Sequence, residues 1–193
     1  METADITLVE GKPGNGKTTT GVGLVADDYF GKPMSKRPFV IANFHLYGIR
    51  HVYAETWQIA KWLNKSIMRA PVGRELWLVI DEAYIAAEAR RGGNPLVLIM
   101  TWMGQQIRKR RIHLVIIVQN GRFIDWRLIW LVAKRITCIR KKGSPMIKLI
   151  VKDLENRTER TFRYNGSQYW KYFDTDELPP MPDYMVDAAV AQG

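Results

Sequence analysis

Short apolar runs separated by turn residues recur along the chain and predict the strands of a central sheet. Five of them lack a regular alternation of apolar and polar positions: ITLVE (6–10), FVIAN (39–43), ELWLVID (75–81), IHLVIIVQ (112–119) and KRITCIR (134–140). Continuous runs of this kind are typical of strands that are buried on both faces of a parallel sheet.

Segments with helical character lie between these runs: 17–29, ETWQIAKWLNKSI (55–67), PLVLIMTWMGQQIRKR (95–110) and DWRLIWLVAK (125–134). Strands that alternate with helices predict an α/β fold, a three-layer sandwich with a mostly parallel central sheet. We expect the tryptophans of these helices, including Trp126 and Trp130, to pack inside the protein rather than to stack on bases.

The last third of the chain changes its pattern. MIKLIVKD (146–153) and TERTFRY (158–164) alternate apolar with polar residues around the turn LENRT, which predicts an antiparallel hairpin at about 146–164 added to the sheet. We expect one domain over residues 1–177. The proline- and acid-rich segment 178–193 is expected to be a loosely ordered tail.

The segment GKPGNGKT (11–18) fits the P-loop (Walker A) pattern G-x-x-x-x-G-K-[ST]. Glycines let successive backbone N–H groups surround phosphate oxygens, and the following helix directs its positive end at the same anion. A glycine-rich turn is the alternative, but a strand before the motif and a helix after it favour ATP binding. The predicted nucleotide-binding residues are Gly11, Lys12, Pro13, Gly14, Asn15, Gly16, Lys17, Thr18 and Thr19.

Several side chains are candidates for the chemistry of ATP hydrolysis. Lys17 is long enough to reach the β- and γ-phosphates, and the Thr18 hydroxyl is a candidate ligand of Mg²⁺. Asp81 ends an apolar strand and is expected to hold Mg²⁺ from a neighbouring central strand, while Glu82 is the candidate general base. The alternative is that this acidic strand end caps the next helix.

A polar amide ends the run IHLVIIVQ. Gln119 is a candidate sensor of the γ-phosphate or a residue that positions the attacking water, and the alternative is that it satisfies loop backbone. An arginine supplied to a neighbouring subunit is also considered, although surface charge or contact with DNA phosphate is the favoured interpretation of each candidate. These candidates are Arg90, Arg91, Arg108, Arg110 and Arg111.

Charge and composition narrow the range of partners. The formal net charge of +10 over 193 residues indicates an anionic partner, either nucleic acid or a membrane surface. Neither a secretory signal nor an apolar stretch of membrane-spanning length is visible, so we expect a cytoplasmic location. The single cysteine, Cys138, excludes an internal disulfide and is expected to be a small buried side chain on a strand.

Three segments together resemble a known group of proteins. ITLVEGKPGNGKTTT, LWLVIDEAY and RKRRIHLVIIVQNGRFIDWRLIWLVAKRI look like the FtsK–HerA superfamily of DNA-translocating P-loop ATPases. Within it, the chain resembles the zonula occludens toxin-like domain of filamentous-phage assembly proteins and the small packaging ATPases of tailless double-stranded DNA viruses. The resemblance implies a ring of identical subunits and an arginine donated in trans. It also implies the roles given above for Lys17, Thr18, Asp81, Glu82 and Gln119.

These observations favour an ATP-hydrolysing motor that moves viral DNA without reading its sequence, with capsid or assembly proteins as further partners. A P-loop kinase of a small metabolite and a nucleotide-dependent assembly scaffold at a membrane surface are the alternatives. Phage assembly proteins carry a membrane segment after this domain, which this sequence lacks. Either the chain is a domain of such a protein, for which membrane contact is possible, or it is a motor of the packaging type. The expected location is the host cytoplasm or the virion.

Overall fold

An eight-stranded sheet is the centre of the protein in the computed structural model, which describes residues 5–55, 58–59, 74–81, 111–124 and 126–174. The strands are β1 (Ile6–Glu10), β2 (Phe39–Ala42), β3 (His51–Tyr53), β4 (Leu76–Ile80), β5 (Ile112–Val118), β6 (Lys134–Arg140), β7 (Met146–Asp153) and β8 (Thr158–Asn165). The described α-helices are α1 (Lys17–Gly31) and α2 (Trp126–Ile129), and 3₁₀ turns cover Met34–Lys36, Gly121–Phe123 and Gly166–Tyr172.

The strand order is β3-β2-β4-β5-β1-β6-β7-β8. Neighbouring strands from β3 to β6 are parallel, whereas β7 pairs antiparallel with both β6 and β8. The predicted fold class, a mostly parallel sheet with an added antiparallel hairpin, is therefore confirmed. Because the carboxyl ends of β1, β4 and β5 share one edge of the sheet, the residues that follow these strands meet there.

Apolar side chains cover both faces of the sheet. On one face, Val22 and Val25 of α1 belong to the same buried cluster as Val115 and Ile117 of β5. On the other face, strand residues such as Leu78 form a second cluster with side chains outside the sheet, among them Ile59 and Leu128. Burial on two faces explains the continuous apolar runs in the sequence.

Two elements differ from the prediction. The three-residue strand β3 was not expected, because His51, Val52 and Tyr53 form too short an apolar pattern to stand out. The helix expected over 125–134 is shorter, since α2 ends at Ile129 and Lys134 already begins β6. The helices expected over 55–67, apart from residues 55, 58 and 59, and over 95–110 lie outside the described residues, as does the tail 178–193.

The expectation that Trp126 and Trp130 pack inside the protein is wrong. Trp126 is 66% exposed and Trp130 is 81% exposed, and their ring centroids lie 6.3 Å apart in an edge-to-face arrangement. The apolar contacts of α2 are made by Leu128, which is buried. Cys138, by contrast, is completely buried on β6, as predicted. In the described part of the chain, no helix has the length and apolarity needed to cross a membrane.

Candidate nucleotide site

The glycine-rich segment forms the loop between β1 and α1, and two of its glycines have backbone conformations that a side chain would disturb. Gly11 has φ +155°, and a Cβ there would lie 2.6 Å from the carbonyl oxygen of Cys138. Gly16 has φ +82°, and a Cβ there would collide with the side chain of Ile147. Both glycines therefore allow the loop to lie directly against β6 and β7.

Hydrogen bonds hold the loop in this position. Asn15 Nδ2 donates to the carbonyl oxygen of Cys138 at 3.0 Å, which ties the loop to β6. Within the loop, Asn15 N and Lys17 Nζ both donate to the carbonyl oxygen of Lys12, at 3.1 and 3.2 Å. No side-chain hydrogen bond caps the start of α1 at Lys17, and the first backbone N–H groups of a helix are a common binding site for anions.

The hydroxyl of Thr18 meets the carboxylate of Asp81 at the edge of the sheet. Thr18 Oγ1 donates to Asp81 Oδ2 at 2.6 Å. The expectation that Asp81 comes from a strand next to β1 is wrong, because β5 lies between β1 and β4. Hydroxyl and carboxylate oxygens are hard ligands that Mg²⁺ prefers, so the donor set of this pair fits the predicted metal.

Asn43, which follows β2, positions Asp81 and was missed in the sequence. Asn43 Oδ1 accepts from the backbone N–H of Asp81 at 2.8 Å, and Asn43 Nδ2 donates to the carbonyl oxygen of Asp81 at 2.9 Å. Asn43 is only 4% exposed, which restricts its motion further. The available signal was that Asn43 ends an apolar run in the same way as Asp81.

Replacing Asn43 with Ala should reduce kcat for ATP hydrolysis about tenfold, as expected for the loss of a residue that orients a metal ligand. Asn156→Ala is the matched control, because Asn156 also makes a side-chain hydrogen bond, to Asp153 at 2.8 Å, but lies in the turn between β7 and β8. Steady-state release of phosphate measures both. Equal kcat values for the two variants would remove Asn43 from the site.

The structure describes only some of the other residues that were predicted to act in hydrolysis. Gln119 follows β5, is exposed, and lies between the ends of β1 and β4 at the same edge of the sheet. Glu82 lies outside the described residues, as do Arg90, Arg91, Arg108 and Arg110. Arg111 is exposed and precedes β5, so it lies at the edge of the sheet opposite the phosphate loop of its own chain.

A buried carboxylate links the base of the phosphate loop to two neighbouring segments. Glu10 accepts from Arg135 Nε at 2.7 Å, Arg135 Nη2 at 2.8 Å, Thr137 Oγ1 at 3.1 Å and the backbone N–H of Gly121 at 2.9 Å. Burial opposes ionisation, but the hydrogen bonds, with those from Arg135 the largest, lower the pKa of Glu10 below its ordinary value. The ionised carboxylate of Glu10 therefore connects β1 to β6 and to the segment that follows Gln119.

A small polar cluster lies beneath the start of α1. Thr20 Oγ1 is 2.8 Å from the carbonyl oxygen of Gly16 and 2.8 Å from Tyr164 Oη, and Cys138 Sγ lies 3.3 Å from it. Burial raises the pKa of the Cys138 thiol to about 11. The thiol is therefore uncharged near neutral pH and contributes to packing rather than to nucleophilic chemistry.

The fold and the arrangement of the loop define the class of this protein. A glycine-rich loop between β1 and α1, with a carboxylate from β4 beside its threonine, is the architecture of P-loop NTPases. No protein-family profile matches the sequence, and a comparison with curated proteins gives no significant match. Solved structures, in contrast, match over most of the chain.

Three solved structures illustrate the similarity. The N-terminal domain of zonular occludens toxin from Neisseria meningitidis is 23% identical, with TM-score 0.69, over 90% of this chain and 100% of that chain. The DNA-packaging ATPase B204 from Sulfolobus turreted icosahedral virus is 13% identical, with TM-score 0.57, over 83% and 98%. A KaiC-like protein from Pyrococcus horikoshii is 12% identical, with TM-score 0.51, over 84% and 86%.

Proposed function

We propose that this protein is a motor that hydrolyses ATP and uses the energy to move viral DNA. The observation that carries the proposal is the 2.6 Å contact between Thr18 and Asp81 beside the glycine-rich loop, because it joins the two polar groups that such a site requires. The fold similarity to a DNA-packaging ATPase and to a zonular occludens toxin domain supports the choice of a viral motor.

Each residue has a distinct role in the proposed reaction. Lys17 and the backbone of the loop bind the phosphates of ATP and stabilise the charge that develops on the transferred group. Thr18 and Asp81 would hold Mg²⁺, which neutralises phosphate charge when it is bound. Glu82 accepts the proton of the attacking water, and Gln119 contacts the γ-phosphate or that water.

A basic extension of the sheet is the proposed contact with DNA. Residues 134–163 contain ten lysines and arginines but three acidic residues. Lys148 and Arg163 are cross-strand neighbours on β7 and β8, and β8 is exposed along most of its length. Lys141 and Lys142 follow β6 beyond Cys138, which contacts the phosphate loop. Contacts of lysine and arginine with phosphate are independent of base sequence.

The proposed active form is a ring of identical subunits with the nucleotide between neighbours. Arg111 precedes β5, whose seven residues span about 23 Å at the usual rise of a strand. It is therefore too distant to contact a nucleotide in the loop of its own chain. If Arg111 acts in hydrolysis, it does so on the nucleotide of a neighbouring subunit.

The proposal is tested by measuring ATP hydrolysis with and without DNA at increasing salt concentrations. DNA should stimulate hydrolysis at low salt, and the stimulation should fall steeply as salt rises because phosphate contacts release bound counterions. The double variant K148Q/R163Q should need more DNA for half-maximal stimulation, with unchanged hydrolysis in the absence of DNA. The matched control is K36Q/K171Q, which removes the same charge from two exposed positions outside the hairpin.

Hydrolysis with and without DNA separates the motor from the kinase, and virion formation separates it from the scaffold. A metabolite kinase would transfer the phosphate to an acceptor, so DNA would not increase release of inorganic phosphate. An assembly scaffold would bind ATP, and virions would still form when Lys17→Ala has removed hydrolysis. Hydrolysis that is indifferent to DNA at low salt would contradict the motor.

A further inference from the structure

A second cavity lies at the end of the sheet opposite the phosphate loop. Its volume is about 480 Å³, and it is bounded by the end of α1 and the beginnings of β2 and β3, including Tyr29, Phe39 and His51. The 15 residues of α1 separate it from the phosphate loop by about 22 Å, at the usual rise of a helix. This cavity is therefore independent of the proposed ATP site.

Three arginines line the cavity, and none of the described residues that line it is acidic. They are Arg37, Arg50 and Arg74. The carbon of the Arg37 guanidinium is 4.9 Å from the ring centre of Tyr29, and that of Arg74 is 5.6 Å from the ring centre of Phe39. Contact with an aromatic face orients a guanidinium without using its hydrogen-bond donors. The cavity therefore holds several positive charges, and two of its guanidinium groups are oriented by aromatic rings.

One of these donors lacks an acceptor. Arg37 Nε is shielded from solvent and makes no hydrogen bond within the described residues. Arg74 Nε, in comparison, donates to the carbonyl oxygen of Ser35 at 3.1 Å. A buried donor without an acceptor is unfavourable, so an acceptor supplied by a ligand would stabilise Arg37.

Apolar side chains lie beside the arginines. Met34 is 77% exposed, Val52 is 45% exposed and Phe39 is 44% exposed, and all three line the cavity. Exposed apolar groups within a concave, charged site favour a ligand with a flat apolar part next to its anionic group. The volume is within the range of small-molecule sites.

We propose that this cavity binds a phosphate monoester attached to a planar ring. The arginines bind the phosphate, because guanidinium groups match phosphate oxygens with paired hydrogen bonds and three cations suit a dianion. Phe39, Met34 and Val52 contact the ring. The assignment goes beyond the proposed motor, since it names a second anion site that the phosphate loop does not include.

The test is titration of phenyl phosphate into the Lys17→Ala chain, which lacks the key cation of the phosphate loop, followed by NMR. Resonances of Tyr29, Phe39 and Val52 should shift saturably, whereas those of Gly16 and Thr18 should not. Inorganic phosphate, which lacks a ring, and benzoate, which carries a single charge, should each bind about tenfold more weakly. Shifts confined to the phosphate loop, or equal affinity for either comparison ligand, would overturn the assignment.

Variants test the role of the arginines. Arg50→Gln should weaken binding of phenyl phosphate about tenfold. Because Arg50 is exposed, this variant should still fold. Arg37→Lys, which keeps the charge but loses the planar donor edge, should also weaken binding. Lys36→Gln is the control, because Lys36 is exposed, adjacent to Arg37 and absent from the lining. If the Arg50 and Lys36 variants bound phenyl phosphate with equal affinity, the effect would come from the loss of positive charge in general, and the site would be refuted.

Discussion

Lys17→Ala should abolish ATP binding at micromolar nucleotide and lower hydrolysis by about a thousandfold, as for the loss of a preorganised group that stabilises developing charge. Lys17 begins α1, and its Nζ lies 3.2 Å from the carbonyl oxygen of Lys12, so its cation sits over the loop. Without it, backbone N–H groups are left as the donors of the loop to the β- and γ-phosphates. Equilibrium titration with a fluorescent ATP analogue measures the loss.

Lys142→Ala is the control for this variant. Lys142 is an exposed lysine in the turn after β6, so its replacement removes one positive charge from the same end of the sheet. Binding of ATP without DNA should remain close to that of the unmodified protein. Unchanged ATP affinity in the Lys17 variant would contradict the assignment of the loop as a phosphate site.

Glu82→Gln should retain ATP binding and reduce turnover by about 10² to 10⁴, which is the usual contribution of a general base. Glu82 is the next residue after Asp81, whose carboxylate accepts from Thr18 at 2.6 Å, and this adjacency in the sequence is the basis of the prediction. Glutamine keeps the size of the side chain but cannot accept the proton of water. Single-turnover hydrolysis and ATP titration separate the two effects.

Glu75→Gln, just before β4, provides the comparison for Glu82. Glu75 Oε2 contacts Lys32 Nζ at 2.5 Å, far from the phosphate loop, so this variant should lower the melting temperature while leaving kcat intact. Full turnover of the Glu82 variant would instead assign proton acceptance to another group.

Strands β1, β2, β4 and β5 were predictable because they are buried on both faces, so each appears in the sequence as a continuous apolar run. The sequence did not reveal their order, and hence did not show that β5 separates β1 from β4. Order depends on contacts between distant segments, such as that of Leu8 with Ile116, which no local pattern encodes. β3 was missed for a related reason, since three residues carry too little periodicity.

The loop of the candidate site was recognisable because its chemistry requires particular residues at fixed spacing. The residues that support it were not, because their roles arise from tertiary contacts. Asn43 contacts Asp81, 38 positions later, and Glu10 contacts Arg135, 125 positions later. Each is a single polar residue at the end of an apolar run, a signal shared with ordinary strand ends. Trp126 and Trp130 show the reverse error, since large apolar residues do not always face a core.

The bond from Asn15 to the carbonyl of Cys138 has a mechanical consequence. It fastens the nucleotide loop to β6, and β6 continues directly into the basic turn at Lys141 and Lys142. A displacement of the loop during a cycle of binding and release must therefore either rupture this bond or carry the end of β6 with it. In the second case, motion of the loop would be transmitted along β6 to this basic turn, which belongs to the proposed contact with DNA.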